Sequence, residues 1–209
     1  MQTDISRVWL TYLVMAAHRT GLAPISKQRL HRLVFLSNCL APLFEATPAS
    51  AQIVKYTRGP FYPVVQWELD RLTAMGVLNV ANIVYFHDKD GWWQDADYSV
   101  GAKARDVIDY CNGIEYGHCL DRYLTEVTTA FASLRSEVLD GVALRDENFA
   151  RRGATLDTFI DFSTEEQNLS VQTARDFKAV IPGGFAPSRK EELFLYLRFL
   201  EAASKEVVA

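Results

Sequence analysis

The chain has 209 residues, 49% of them apolar, with 22 basic against 26 acidic side chains and a formal net charge of -4. That is enough apolar material for one large domain or two small ones with a real core, which argues against disorder and against metals or disulfides as the source of stability. The acidic balance lacks the cationic excess that phosphate neutralisation needs, so any grip on nucleic acid must come from a local patch.

The start, MQTDISRVWLTYLVMAAHRT, has an acid and no basic leader before a short apolar run, so it reads as neither a signal peptide nor a membrane span. It reads instead as a first helix capped by Thr3 or Asp4, with Val8, Tyr12, Met15 and Ala16 at helical spacing and Gly21 as its stop. Ser26 is the expected cap of a second helix with Leu30, Leu33, Val34 and Cys39 or Leu40 inward, ended by Pro42. A short strand follows over Ile53 to Tyr56, then a corner at Gly59-Pro60. A third helix runs from Pro63 to Met75 with Val65, Leu69 and Leu72 on one face, and Gly76 ends it. The period then turns extended through VLNVANIVYF. Asp90-Gly91 signals a tight turn, since glycine accepts positive φ, and WWQDADYSV is the return strand.

A helix from Gly101 to Tyr110 completes the order of a winged helix-turn-helix. Past NGIEYGH at residues 112 to 118, the best boundary, the chain reads as helical. Leu120, Leu124, Val127, Phe131, Leu134 and Val138 recur by threes and fours up to Gly141. STEE at 163 to 166 and SRKE at 188 to 191 carry the serine and glutamate of a capping box, so a helix should start at each. The expected fold is mainly α with a small β-hairpin: a winged helix-turn-helix-like domain over residues 1–112 and a helical assembly region over 113–209.

No catalytic constellation stands out. Walker, GxGxxG and GxSxG motifs are missing, and IPGGF at 181 to 185 lacks the lysine that would hold a phosphate. The aspartates of DKDGWWQDAD miss the calcium-loop spacing, and Cys111, His118 and Cys119 are too few and too adjacent for zinc. Neither a metal nor a cofactor is expected. The odd cysteine set, Cys39, Cys111 and Cys119, fits reduced thiols in a cytoplasmic protein.

In a winged helix the third helix and the hairpin face the ligand. Here they offer Glu68 and Asp70 against Arg71, and Asp88 and Asp90 against Lys89, with only Gln66 suited to base readout. Direct DNA contact is therefore expected to be weak or absent, with Lys27, Arg29 and Arg32 as the one candidate patch. Aromatics dominate protein interfaces. Candidate interface residues are Arg58, Phe61, Tyr62, Trp67, Trp92 and Trp93, one ring of the Trp92-Trp93 pair inward and the other outward, with Phe194, Tyr196 and Phe199 on a last helix apolar around most of its circumference. Gly59, Pro60 and Gly91 are the structural turn residues.

The KQRLHRLVFL helix followed by KYTRGPFYPVVQWELDRLTAMGVL resembles the middle-component proteins of ABC three-component defence systems, Lamassu among them, and is similar to the Panacea antitoxin domain. The resemblance rests on Leu30, Leu33, Phe35, Tyr56, Gly59, Pro60, Phe61, Leu69, Leu72 and Gly76 and covers roughly residues 5 to 100. It implies a non-catalytic accessory subunit that bridges an SMC-like or Rad50-like ATPase and an effector of the same operon, often a nuclease, in anti-phage or anti-plasmid immunity. The alternatives are an antitoxin masking a toxin and a winged-helix DNA-binding regulator.

Overall fold

A computed structural model describes residues 2–88, 91–113, 115–151, 155–181 and 186–205. The chain is mainly α with small antiparallel sheets. Helix α1, Gln2–Arg19, is already under way at Gln2, so Thr3 and Asp4 fall inside it rather than capping it. Trp9, Leu10, Leu13 and Val14 bury its inner side. Strand β1, Ile25–Ser26, leads into α2, Lys27–Leu40, where the Ser26 hydroxyl accepts the Arg29 N–H at 3.3 Å as the cap requires. Helix α2 is buried on every side from Leu30 to Leu40 and forms the axis of the core. Pro42 sits in the 3₁₀ turn Ala41–Phe44 that ends it.

Gly59-Pro60 is not a corner. These residues belong to strand β3, Gly59–Phe61, which pairs with β2, Gln52–Tyr56, and the chain reverses at Thr57 and Arg58. Gly59 supplies the positive φ, +118°, that this reversal needs, and a β-carbon there would stand 3.2 Å from Leu144 Cδ2. Gly59→Val is therefore expected to lower stability by about 1–3 kcal/mol. A urea midpoint equal to wild type would remove the turn argument.

Helix α3, Pro63–Ala74, begins with proline in its first turn, where no backbone donor is lost, and buries Val65, Leu69 and Leu72 as the spacing predicts. Strands β4, Leu78–Asp88, and β5, Gly91–Val100, pair antiparallel down to Asp88 opposite Gly91, whose φ is +102°. The expected turn residues Lys89 and Asp90 lie outside the described residues, as does 182–185 of IPGGF. A bulge between Ala81 and Val84, with Asn82 at φ +51°, shifts the register midway. The sheet order is β1-β5-β4, which leaves β4 on an edge.

Helix α4 spans Ala104–Asn112, starting later than expected, and α5 spans Glu115–Ala132. The joint is tight: a β-carbon on Gly117 would lie 2.0 Å from the Cys111 carbonyl oxygen. Helix α5 stops before the end of its apolar run, because the Arg135 N–H donates to the Glu201 carboxylate at 3.2 Å instead of continuing the helical ladder. Leu134 and Val138 stay buried in the turns that follow.

After the 3₁₀ turn Val142–Arg145 come α6, Glu147–Ala150, and β6, Phe159–Asp161, which pairs with β2 to give a second sheet of order β3-β2-β6. STEE does not open a helix. The Ser163 N–H is taken by the Asp161 carboxylate at 2.9 Å, and α7, Leu169–Val180, starts from Asn168, whose side chain accepts the Val171 N–H. SRKE does: at the head of α8, Arg189–Lys205, Glu191 accepts the Ser188 N–H at 2.7 Å while Ser188 Oγ accepts the Glu191 N–H at 3.4 Å. Residues from both sides of position 112 enter one hydrophobic core.

Candidate protein-docking surface

The outward faces of α3 and the β4–β5 hairpin carry large apolar side chains. On α3, Trp67 is 67% exposed and Val64 54%, one helical turn apart. The same helix buries Glu68, which accepts from Arg7 and, at 2.6 Å, from Arg71. Arg71, the cation expected on this face, is thereby committed to its own helix.

Ala81 to His87 of β4 are exposed throughout, with Ile83, Val84, Tyr85 and Phe86 in unbroken succession. Cross-strand pairing sorts the two faces: Phe86 lies opposite Trp93, whereas Tyr85 lies opposite Gln94 and His87 opposite Trp92. The outward set of Tyr85, 70% exposed, and Trp92, 78% exposed, includes no carboxylate, lysine or arginine. Soluble proteins seldom leave such a patch uncovered on a sheet edge.

The inward face is closed by cations. The Arg58 guanidinium lies 4.8 Å from the Trp93 ring centre and 5.5 Å from that of Phe86, and it pairs with Asp88. Lys27 Nζ stands 4.7 Å from the Trp93 ring, and Tyr56 stacks on that ring at 6.2 Å. Trp93 is thus the inward ring and Trp92 the outward one, as strand alternation requires.

The expected basic patch does not form. Lys27 is buried beside Trp93, and burial lowers its pKa. Arg29 binds Asp140 through two hydrogen bonds of 2.6 and 2.9 Å, which raise the arginine's pKa and lower the aspartate's. Arg32 is buried, held 3.5 Å from the same carboxylate and 3.4 Å from the Arg58 carbonyl, and burial lowers its pKa. Two of these side chains are buried and the third is held in a surface ion pair.

Several expected interface aromatics also turn inward. Tyr62 is buried, and burial pushes its phenol well up. Phe61 is half-buried, stacked on His31 at 5.0 Å. Tyr196 is fully buried and donates its hydroxyl to Asp146 at 2.8 Å. Phe194 and Phe199 are half-buried, the latter against Phe177 at 5.8 Å. Helix α8 therefore spends most of its apolar circumference on the chain's own core. What the sequence reading missed is Val64 and the IVYF run: a run of four apolar residues reads as strand core, and only sheet order reveals it as an exposed edge.

Among the described residues, no group of three or more His, Cys, Asp and Glu side chains is arranged to hold a metal, and no helix is long and apolar enough to cross a membrane. No protein-family model, curated protein or solved structure matches this chain.

Proposed function

We propose that this chain is a non-catalytic accessory subunit that offers the outer faces of α3 and the β4–β5 hairpin to a protein partner. The observation that carries the reading is the concentration of Val64, Trp67, Ile83, Tyr85 and Trp92 on those two elements, at positions where a nucleic-acid reader would place cations. The element order α1-β1-α2-α3-β4-β5 with strand order β1-β5-β4 supports a winged helix-turn-helix reading, and the β2–β3 hairpin between α2 and α3 is its departure from a plain helix-turn-helix. The resemblance to ABC three-component defence proteins makes the partner an SMC-like ATPase or the effector encoded beside it, in the cytoplasm.

Co-expression of the chain with those neighbours is expected to yield a stable complex of fixed stoichiometry. Trp67→Ala with Trp92→Ala should weaken it by about tenfold or more, the range of aromatic anchors at interfaces. A chain that always elutes alone, or a double variant that binds as wild type, overturns the reading. Tight, salt-sensitive binding to its own promoter would make it a DNA-binding regulator instead. Deleting its gene alone separates the antitoxin alternative, under which cells sicken, from the accessory role, under which they lose only protection.

A further inference from the structure

Between α1, α2, the β2–β3 hairpin and α3 the chain holds a cavity of about 530 Å³. It is a cleft open to solvent on one side rather than a sealed void, so a ligand can enter it without opening the core. Trp9 and Leu10 of α1, Val34 of α2, Ile53 of β2 and Val65 of α3 supply its apolar wall. The polar side chains at it are Ser6, Asn38, Ser50, Gln52 and the Tyr62 phenol, all neutral. Asn38 is fixed in place: its carboxamide nitrogen donates to the Val34 carbonyl at 2.8 Å, and its oxygen accepts the Ser50 N–H at 2.9 Å. The exposed Val64 and Phe159 flank the opening.

Among the described residues, no Asp, Glu, Lys, Arg or His lines this space. That composition selects its occupant. An ion entering it would lose hydration with no opposite charge to compensate, whereas an apolar surface would gain by leaving water. The volume falls in the range of pockets that enclose a drug-sized molecule, which is more than one inserted partner side chain fills. We infer that the cavity is a binding site for a neutral, largely apolar small molecule, a fused-ring or medium-chain compound whose single polar group lies near Asn38 and Ser50. The site needs no protein partner, and Val64 serves both its opening and the docking face, so fluorophore binding to the isolated chain tests it apart from the docking role. Helix α3 joins the two, with Val65 on the cavity wall and Trp67 on the outer face.

The test titrates N-phenylnaphthylamine, a neutral apolar fluorophore, into the purified full chain. One saturable site per chain is expected, and anilinonaphthalene sulfonate, which adds a negative charge to the same ring system, should bind about tenfold more weakly or worse. Val65→Phe fills the cavity and should weaken the neutral fluorophore by about tenfold or more. Val64→Trp, at the exposed opening, should do the same by narrowing it without touching the core, and it decides the matter if the first variant does not fold. Absence of saturable binding to the folded wild type, equal affinity for the sulfonate, or wild-type binding by the folded variants overturns the assignment.

Discussion

Asp146→Ala is expected to destabilise the chain by about 3–5 kcal/mol, because it takes the shared acceptor away from four buried donors. The Asp146 carboxylate is fully buried and accepts four donors. Two are backbone amides that it caps at the start of α6, Asn148 N–H at 2.9 Å and Phe149 N–H at 3.4 Å. Two are hydroxyls from distant helices, Ser170 of α7 and Tyr196 of α8, each at 2.8 Å. The Tyr196 oxygen in turn accepts the Glu147 N–H at 3.3 Å, and Asn148 Nδ2 donates to Ser170 Oγ at 2.6 Å. Alanine leaves both hydroxyls and both amides without an acceptor in a dry interior, and each such group costs about 1–3 kcal/mol. Asp146→Asn keeps the volume but turns one acceptor into a donor facing other donors, so it should fall between alanine and wild type. Urea melts at pH 7 measure the series. An alanine variant within about 1 kcal/mol of wild type would show that the network organises the second half without stabilising it.

The elements that were legible in the sequence are those whose signals lie within a few residues of the feature. Ser26 before α2, Pro63 and Gly76 around α3, Gly91 in the hairpin and the Ser188–Glu191 box all act on their own backbone, and each stands where its chemistry puts it. Local sequence signals mislead where a partner far along the chain decides the outcome. Arg29 and Arg32 look like a basic patch until Asp140, more than a hundred residues on, is folded against them. Helix α5 looks continuous through Val138 until Glu201 captures the Arg135 N–H. Apolar spacing likewise groups Tyr196 with Phe194 and Phe199 as candidate interface residues, because nothing near Tyr196 in sequence announces the buried carboxylate that its hydroxyl meets. Exposure of the IVYF run was hidden for the complementary reason: composition states that a strand is apolar, and sheet order alone states whether anything covers it.

The same interior makes opposing demands on protons, and acidification should expose them. His31 is fully buried and stacked on Phe61, and its Nδ1 accepts the Tyr62 N–H at 3.4 Å, which requires the neutral ring. Burial, reinforced by the charge of Lys27 and opposed by the Gln66 side chain, pushes its pKa down from 6.5 to about 3. Between those values the unfolded chain binds a proton that the folded chain refuses, so this group's stabilisation is lost as pH falls below 6.5. At pH 5 the loss amounts to about 2 kcal/mol at 1.36 kcal/mol per unit. Asp146 works in the other direction. Burial raises its pKa from 3.8 to about 6 against the pull of Ser170 and Tyr196, so the folded chain takes up its proton first and gains stability as pH falls from about 6 toward 3.8. Wild type should therefore change little between pH 7 and pH 5, because the two groups offset each other. His31→Gln, which keeps an acceptor for the Tyr62 N–H but does not titrate, should become more stable at pH 5 relative to its own value at pH 7. The two pH profiles should diverge by about 2 kcal/mol at pH 5. Parallel urea-derived profiles for the two proteins, or a His31 ring that titrates near pH 6.5 by NMR in the folded chain, would show that the imidazole is not held neutral by its surroundings.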